Sequence, residues 1–200
     1  NRVNQDQLTR SGSGYVGDFA PDFLLTRDQW SQMIYLTYGP DGQVWMIDWY
    51  DENQCHHRDV DSHDRSNGRI YRVSYNDAKP VKVDLGKLED VSLVAQLEDA
   101  NEWYVRHARR LLQERAARGK LDPQVRKLVL DKLFSTEEEG QRLRYLWTLH
   151  VTGGIDPITA GKLLSDKSEY VRAWAIQLLL EQTNRSDMQA IKSKLAELAR

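Results

Sequence analysis

Apolar positions fall into two regimes along the chain. From Asn1 to about Tyr75 they come in short runs, Phe23 to Leu25, Met33 to Tyr38, Val44 to Tyr50 and Ile70 to Val73, bounded by Gly, Pro, Asp and Asn. Runs of this length, rich in Val, Ile, Tyr and Trp, predict β-strands. Gly39-Pro40-Asp41-Gly42 lies between two of them, with Pro pre-setting its own φ and Gly free to take a positive one, so a tight antiparallel hairpin is expected there. Val44-Trp45-Met46-Ile47 lacks polar alternation and predicts a strand covered on both faces. A few strands cannot supply that cover alone, which leads to the expectation of further sheets upstream or of packing against the helical half.

Lys79 to Gly86 breaks the strand pattern, and beyond it the spacing becomes helical. Leu93, Val94 and Leu97 share one face, as do Val125, Leu128, Val129 and Leu133, then Leu143, Leu146, Trp147 and His150, and then Ile191, Leu195 and Leu198. Asp122 before Pro123 and Asp156 before Pro157 are helix-start signals. Shifted by 67 residues, Leu97, Asp99, Glu102, Ala108, Leu111, Leu112 and Glu114 fall on Leu164, Asp166, Glu169, Ala175, Leu178, Leu179 and Glu181. An offset of that size suits two helical hairpins in a stacked array. The expected organisation is a β segment over 1–76, a linker over 77–90 and HEAT-like helical repeats over 91–200.

Charge narrows the partners. The 28 Lys and Arg nearly balance the 30 Asp and Glu, which removes the footprint of a protein that neutralises many phosphates, so nucleic acid is not expected. No stretch approaches the roughly 18 uninterrupted apolar residues a membrane span needs. The single Cys55 forms no internal disulfide and leaves the compartment open. The chain opens at Asn1 rather than Met, which leads to the expectation of a missing N-terminal portion.

Asn1-Arg2 with Ser11-Gly12-Ser13-Gly14-Tyr15, Pro21-Asp22-Phe23-Leu24, Tyr38-Gly39-Pro40-Asp41-Gly42, Asp48-Trp49-Tyr50-Asp51, Cys55-His56 and the stretch Asp64 to Val73 resemble the closing propeller segment of large planctomycete-type membrane-bound dehydrogenases. Their propellers are similar to those of quinoprotein sugar dehydrogenases. Asn101-Glu102-Trp103, Ala108 to Leu112 and Arg144 to His150 resemble the HEAT-like portion that follows. The resemblance implies the final strands of a β-propeller joined to an α-solenoid of HEAT-like hairpins, in an extracytoplasmic, periplasmic bacterial protein. It further implies sugar or alcohol oxidation with a quinone such as PQQ or a divalent metal in the complete protein. Implied partners are the missing propeller portion, and a c-type cytochrome domain or another protein. No Cys-x-x-Cys-His haem attachment motif occurs in this sequence.

Candidate chemistry gathers between Asp51 and Gly68, where His56, His57 and His63, three of the five histidines, stand beside Asp59, Asp61 and Asp64. Long loops of this kind are often functional. Imidazole with carboxylate serves equally as an acid and base pair or as a ligand set, and His56, His57, Asp59 and Asp61 are the candidate metal ligands. Such polar clusters are also ordinary turn chemistry. Cys55 reads as a ligand, a redox thiol or a small packed side chain.

Asp48 follows four apolar residues and must emerge at the sheet's end or find a partner, with Arg69 and Arg72 across the neighbouring strand. It reads either as a structural ion pair or as a contact to a sugar hydroxyl, and the candidate catalytic set is Asp48, His56, His57, Asp64 and Arg69. Arg106, Arg109, Arg110, Arg115 and Arg118 read as a solvated helix face, and Trp103, Trp147 and Trp174 as packing. Three functions remain at this point: part of a dehydrogenase, a non-catalytic protein-interaction module, and a metal-dependent hydrolase or lyase.

Overall fold

The computed structural model describes residues 1–12, 14–54, 56–182, 192–193 and 195–197. The chain divides into two units, Asn1–Val81 and Lys82–Arg200.

In the first unit, β1 (Arg2–Ser11) and β2 (Gly14–Leu25) form a two-stranded antiparallel sheet by themselves. Ser11 pairs with Gly14, and Gly12 takes the positive φ of 59° that such a short connection demands. Little covers this hairpin: Leu8 is 67% exposed and Phe19 is 87% exposed. The second sheet has the order β3 (Met33–Tyr38), β4 (Val44–Asp48), β5 (Arg69–Val73). The turn joining β3 to β4 closes through Gly42 N–H to the Gly39 carbonyl at 3.0 Å, with Gly42 at φ 71°. Asp41 Oδ1 accepts from Gln43 N–H and so satisfies the backbone on the far side of the turn.

β4 is paired on both edges; Met46 and Asp48 are buried on one face, while Ile47 remains 42% exposed on the other. Its uninterrupted apolar run therefore does not mark a strand covered on both faces. The cross-strand row Tyr35–Ile47–Ile70 lies on the uncovered side, all three residues being exposed.

The architecture expected from the sequence, closing strands of a β-propeller followed by an α-solenoid of HEAT-like hairpins, is corrected. A propeller blade is a four-stranded sheet, whereas these strands split into separate sheets of two and three, because β1 and β2 pair only with each other. No blade occurs among the described residues. The second unit is helical, but its helices are unequal. α1 (Asp90–Ala95) has six residues and tightens into a 3₁₀ turn at Gln96–Glu98, while α2 (Glu102–Ala117) has sixteen. α3 (Gln124–Ser135), α4 (Glu139–Val151), α5 (Pro157–Leu164) and α6 (Glu169–Gln182) follow. Of the last periodic set, Leu195 packs against the core, whereas Ile191 and Leu198 lie outside the described residues.

One core holds the helices together. Leu97, Val105, Leu112, Val129, Leu133, Leu146, Leu149 and Leu163 are fully buried, each worth about 1.5–3 kcal/mol of apolar burial. α2 packs on α4 and α4 on α6, while α3 packs on α4 and α5 on α6. The 67-residue offset relates α2 to α6: they begin at Glu102 and Glu169. Each is preceded by the same device, Asp99 Oδ1 accepting from Asn101 N–H at 2.7 Å and Asp166 Oδ1 from Ser168 N–H at 2.9 Å.

Arginines of α4 tie the neighbouring helices to it. Arg142 is buried, donates to the Leu133 carbonyl at the end of α3, and grips Asp166 with both terminal nitrogens. Arg144 donates to the Leu97 and Asp99 carbonyls at 3.1 Å and to Glu102. These bonds satisfy carbonyls that helix ends leave without a partner.

Candidate functional site

Two places in the chain concentrate polar side chains. In the first unit, the connection from β4 to β5 is organised by buried Asp48 and Asp51. Asp48 Oδ1 accepts from Gln32 N–H at 2.6 Å and Tyr50 N–H at 3.1 Å, and its Oδ2 is buried without a hydrogen-bond partner. Arg69 stands opposite Asp48 in register, yet its guanidinium lies 3.3 Å from the centre of the Tyr50 ring and donates to Tyr71 Oη. Arg72 goes to Asp41 at 2.7 Å and to the Ala78 carbonyl. The Asp48 ion pair expected with Arg69 or Arg72 is therefore not formed, because a ring face and a turn carboxylate lie closer to each guanidinium.

Asp51 fastens the loop: its Oδ1 accepts from Asn53 N–H and its Oδ2 from Asp64 N–H at 2.7 Å, with His63 Nδ1 3.8 Å away. Asp64 spends its own carboxylate on Ser66 and Asn67. The Ser66 hydroxyl and N–H, then the Asn67 amide, hold that carboxyl below its usual range against a small opposing effect of burial. Asp59 caps the 3₁₀ turn at Val60–Ser62 by accepting from Asp61 N–H.

His57 Nδ1 accepts from Asp59 N–H at 3.3 Å, and its ring meets His63 edge to face at 6.2 Å. His56, Asp59 and Asp61 are exposed. The expected metal ligands His56, His57, Asp59 and Asp61 are not drawn together, and among the described residues no three His, Cys, Asp or Glu are placed to hold an ion. The physical reason is local, since Asp59 is consumed by its own turn. Cys55 lies outside the described residues. Of the catalytic set, Asp48 and Asp64 are anchored in backbone hydrogen bonds, while His57 faces His63 rather than either carboxylate.

The second place is a concavity of about 550 Å³ in the helical unit, lined from α2 by Glu102, Arg106 and Arg109, from α4 by Trp147, His150 and Val151, and from α6 by Trp174 and Leu178. Its position follows from helical spacing: residues three or four apart share a face, and the order α2–α4–α6 lays three such faces side by side. Trp147 and Trp174 meet edge to face at 5.1 Å, and the Arg109 guanidinium lies 5.3 Å from the Trp147 ring centre.

Three polar atoms here are buried without a hydrogen-bond partner, Arg109 Nη1, Trp147 Nε1 and His150 Nδ1. His150 Nε2 is 3.6 Å from Glu181. Burial, the largest influence, lowers the Arg109 pKa; the Glu102 charge opposes that, and the charges of Arg106 and Arg144 add to it.

Trp147 and Trp174 do pack against the core, as their spacing predicts, but each also presents surface to the concavity. Arg109 leaves the solvated face expected for the arginine stretch, whereas Arg110 stays exposed beside Glu114 at 3.4 Å. Sequence reasoning missed this site, along with the part played by Asp51 in the loop and by Gln32, which precedes β3 and bonds to Asp48 and Asp51. The usable signal is that Arg106 and Arg109, Trp147 and His150, and Trp174 and Leu178 each share one face of their helix.

Comparison with known proteins adds one match: residues 1–77 match the model of a domain of unknown function, DUF7133. No curated protein and no solved structure matches the chain. Among the described residues no helix is long and apolar enough to cross a membrane.

Proposed function

We propose that the chain is a protein-interaction module whose helical unit recognises a partner in the α2–α4–α6 concavity. The observation that carries this reading is that three residues lining it, Arg109, Trp147 and His150, each bury a polar atom, Nη1, Nε1 and Nδ1, that has no hydrogen-bond partner among the described residues. Buried polar groups left unpaired cost about 1–3 kcal/mol each, so a site that retains two such donors, on Arg109 and Trp147, beside a His150 ring nitrogen is arranged for something that supplies polar partners. The aromatic pair beside them offers contact area at little conformational cost, as recognition surfaces do. The loop over 51–68 supports the same reading by contrast. Its carboxylates at Asp51, Asp59 and Asp64 accept from donors of the loop itself, which is the chemistry of a shaped turn.

The test is selection of random twelve-residue peptides on the full chain, followed by nuclear magnetic resonance mapping of the peptides recovered. The expected result is that they move the indole N–H resonances of Trp147 and Trp174 and leave those of Trp30 and Trp45 unchanged. Recovery of no peptide, or of peptides that perturb other amides while both α4 and α6 indoles stay in place, would sink the reading.

A further inference from the structure

The chemistry of the concavity specifies more than that something binds there. The Arg109 guanidinium is a donor and nothing else, so the ligand group that meets it must be an acceptor. Glu102, the acidic residue of the lining, is already taken by Arg144, and Glu181 lies against His150. The charge of Glu102 still reaches Arg109, but Arg106 and Arg144 add positive charge around it. A half-buried guanidinium in this state favours an anion, and its planar fork matches a carboxylate in two parallel hydrogen bonds.

The remaining lining decides between anions. Trp147, Val151, Trp174 and Leu178 make most of the wall apolar, with Leu178 itself buried. A phosphate carries nearly two charges and three acceptor oxygens, so desolvating it against this largely apolar wall costs more than desolvating a carboxylate. A carboxylate carries one charge and can be joined to an apolar neighbour that lies on the tryptophans. The concavity is lined by three helices packed side by side, α2, α4 and α6, which suits an extended segment.

Resting on the recognition reading above, we propose that the concavity binds an extended acidic-apolar peptide of a partner protein. An Asp or Glu carboxylate of that peptide is seated against Arg109. An adjacent aromatic or aliphatic side chain of the ligand lies on Trp174 and Leu178. The seat is made of charge and shape together: the guanidinium is held beside the indole ring by their 5.3 Å contact, so it is oriented before the ligand arrives.

The experiment uses the tightest peptide recovered on the full chain, synthesised as selected, with its Asp and Glu replaced singly by Asn and Gln, and with phosphoserine at the same positions. Binding is followed by titration calorimetry against the unaltered chain and against Arg109→Gln. One acid-to-amide replacement is expected to weaken binding to the unaltered chain by roughly tenfold to a hundredfold, the range for a hydrogen bond to a charged group. The same replacement should change binding to Arg109→Gln by less than about threefold, because the partner that senses it is gone.

Equal affinity of acid and amide peptides for the unaltered chain would overturn the carboxylate assignment, as would tighter binding of the phosphoserine peptide. The ligand-side comparison needs no variant protein, so it stands even if Arg109→Gln folds poorly. Peptides that move the Trp147 and Trp174 resonances but ignore the amide replacement leave the recognition reading intact and remove only the carboxylate. Absence of any peptide in the concavity removes both.

Discussion

Among single residues, Arg142 and Asp166 carry the most concentrated electrostatics in the helical unit. Both side chains are nearly inaccessible, at 6% and 10% exposure, and Arg142 adds a bond to the Leu133 carbonyl. Removing one partner leaves a buried charge uncompensated, so Arg142→Ala is expected to lower stability by about 3 kcal/mol or more, read from urea unfolding. Burial, the largest influence on Asp166, raises its pKa, but the Arg142 hydrogen bonds, the Ser168 N–H and the charges of Arg142 and Lys167 outweigh it and hold the carboxyl low.

Asp156 is held lower still, to about 2, first by the Thr159 N–H and hydroxyl and then by Arg126, against the effect of burial. The pKa of each is depressed on folding, so the unfolded chain binds protons more readily. Their contribution is full above the ordinary carboxylate value of 3.8 and is lost as pH falls below it, for Asp156 towards 2. Stability measured between pH 5 and pH 2 should therefore fall with acid. The fall should be shallower in Asp156→Asn, and an unchanged slope would separate the carboxylate from acid unfolding.

At the scale of elements, turns and caps are the sensitive points. A Cβ on Gly39 would stand 2.4 Å from Trp45 Nε1 and 2.9 Å from Trp45 Cδ1, inside contact distance of a ring held by the β3–β4 hairpin. Gly42 has open space around it but sits at φ 71°. Gly42→Ala is expected to cost about 1 kcal/mol through backbone conformation alone. Gly39→Ala should cost more and should also shift the Trp45 fluorescence, because the ring must move; equal costs and an unmoved spectrum would count against the clash.

Asn101 caps α2 by accepting from Trp103 N–H at 3.0 Å. Asn101→Ala is expected to lose about 1 kcal/mol by thermal unfolding. Element identity was legible from the sequence where the pattern is strong: short apolar runs bounded by turn residues became β3 to β5, and helical spacing became α1, α3 and α4. β1 was not legible as a strand, because Arg2 to Ser11 has two apolar residues among its ten and draws its register from β2.

Across the whole molecule, the two units differ in how much holds them. The helical unit is built on a continuous buried core, whereas the β1–β2 hairpin exposes nearly all its side chains. Local opening follows buried contact, so β1 and β2 amides are expected to exchange hydrogen far faster than those of Val105, Leu146 and Leu149 in a native-state measurement. Comparable protection in both would mean that the hairpin is covered in solution.

Read alone, the sequence determined a β segment followed by helices, the glycine turn between β3 and β4, and the start signals of α5 at Asp156 and Pro157, because each rests on residues within a few positions of one another. It also carried the kinship of α2 and α6, whose caps repeat the same Asp at the same offset. Only the tertiary structure decided which strands pair, replacing the expected propeller blade by sheets of two and three. It also sent Arg69 to an aromatic face instead of Asp48, and set Arg109, Trp147 and Trp174 around one concavity. Spacing places a side chain on a face of its own helix; which faces meet, and which donors are left without acceptors when they do, depends on packing between segments tens of residues apart.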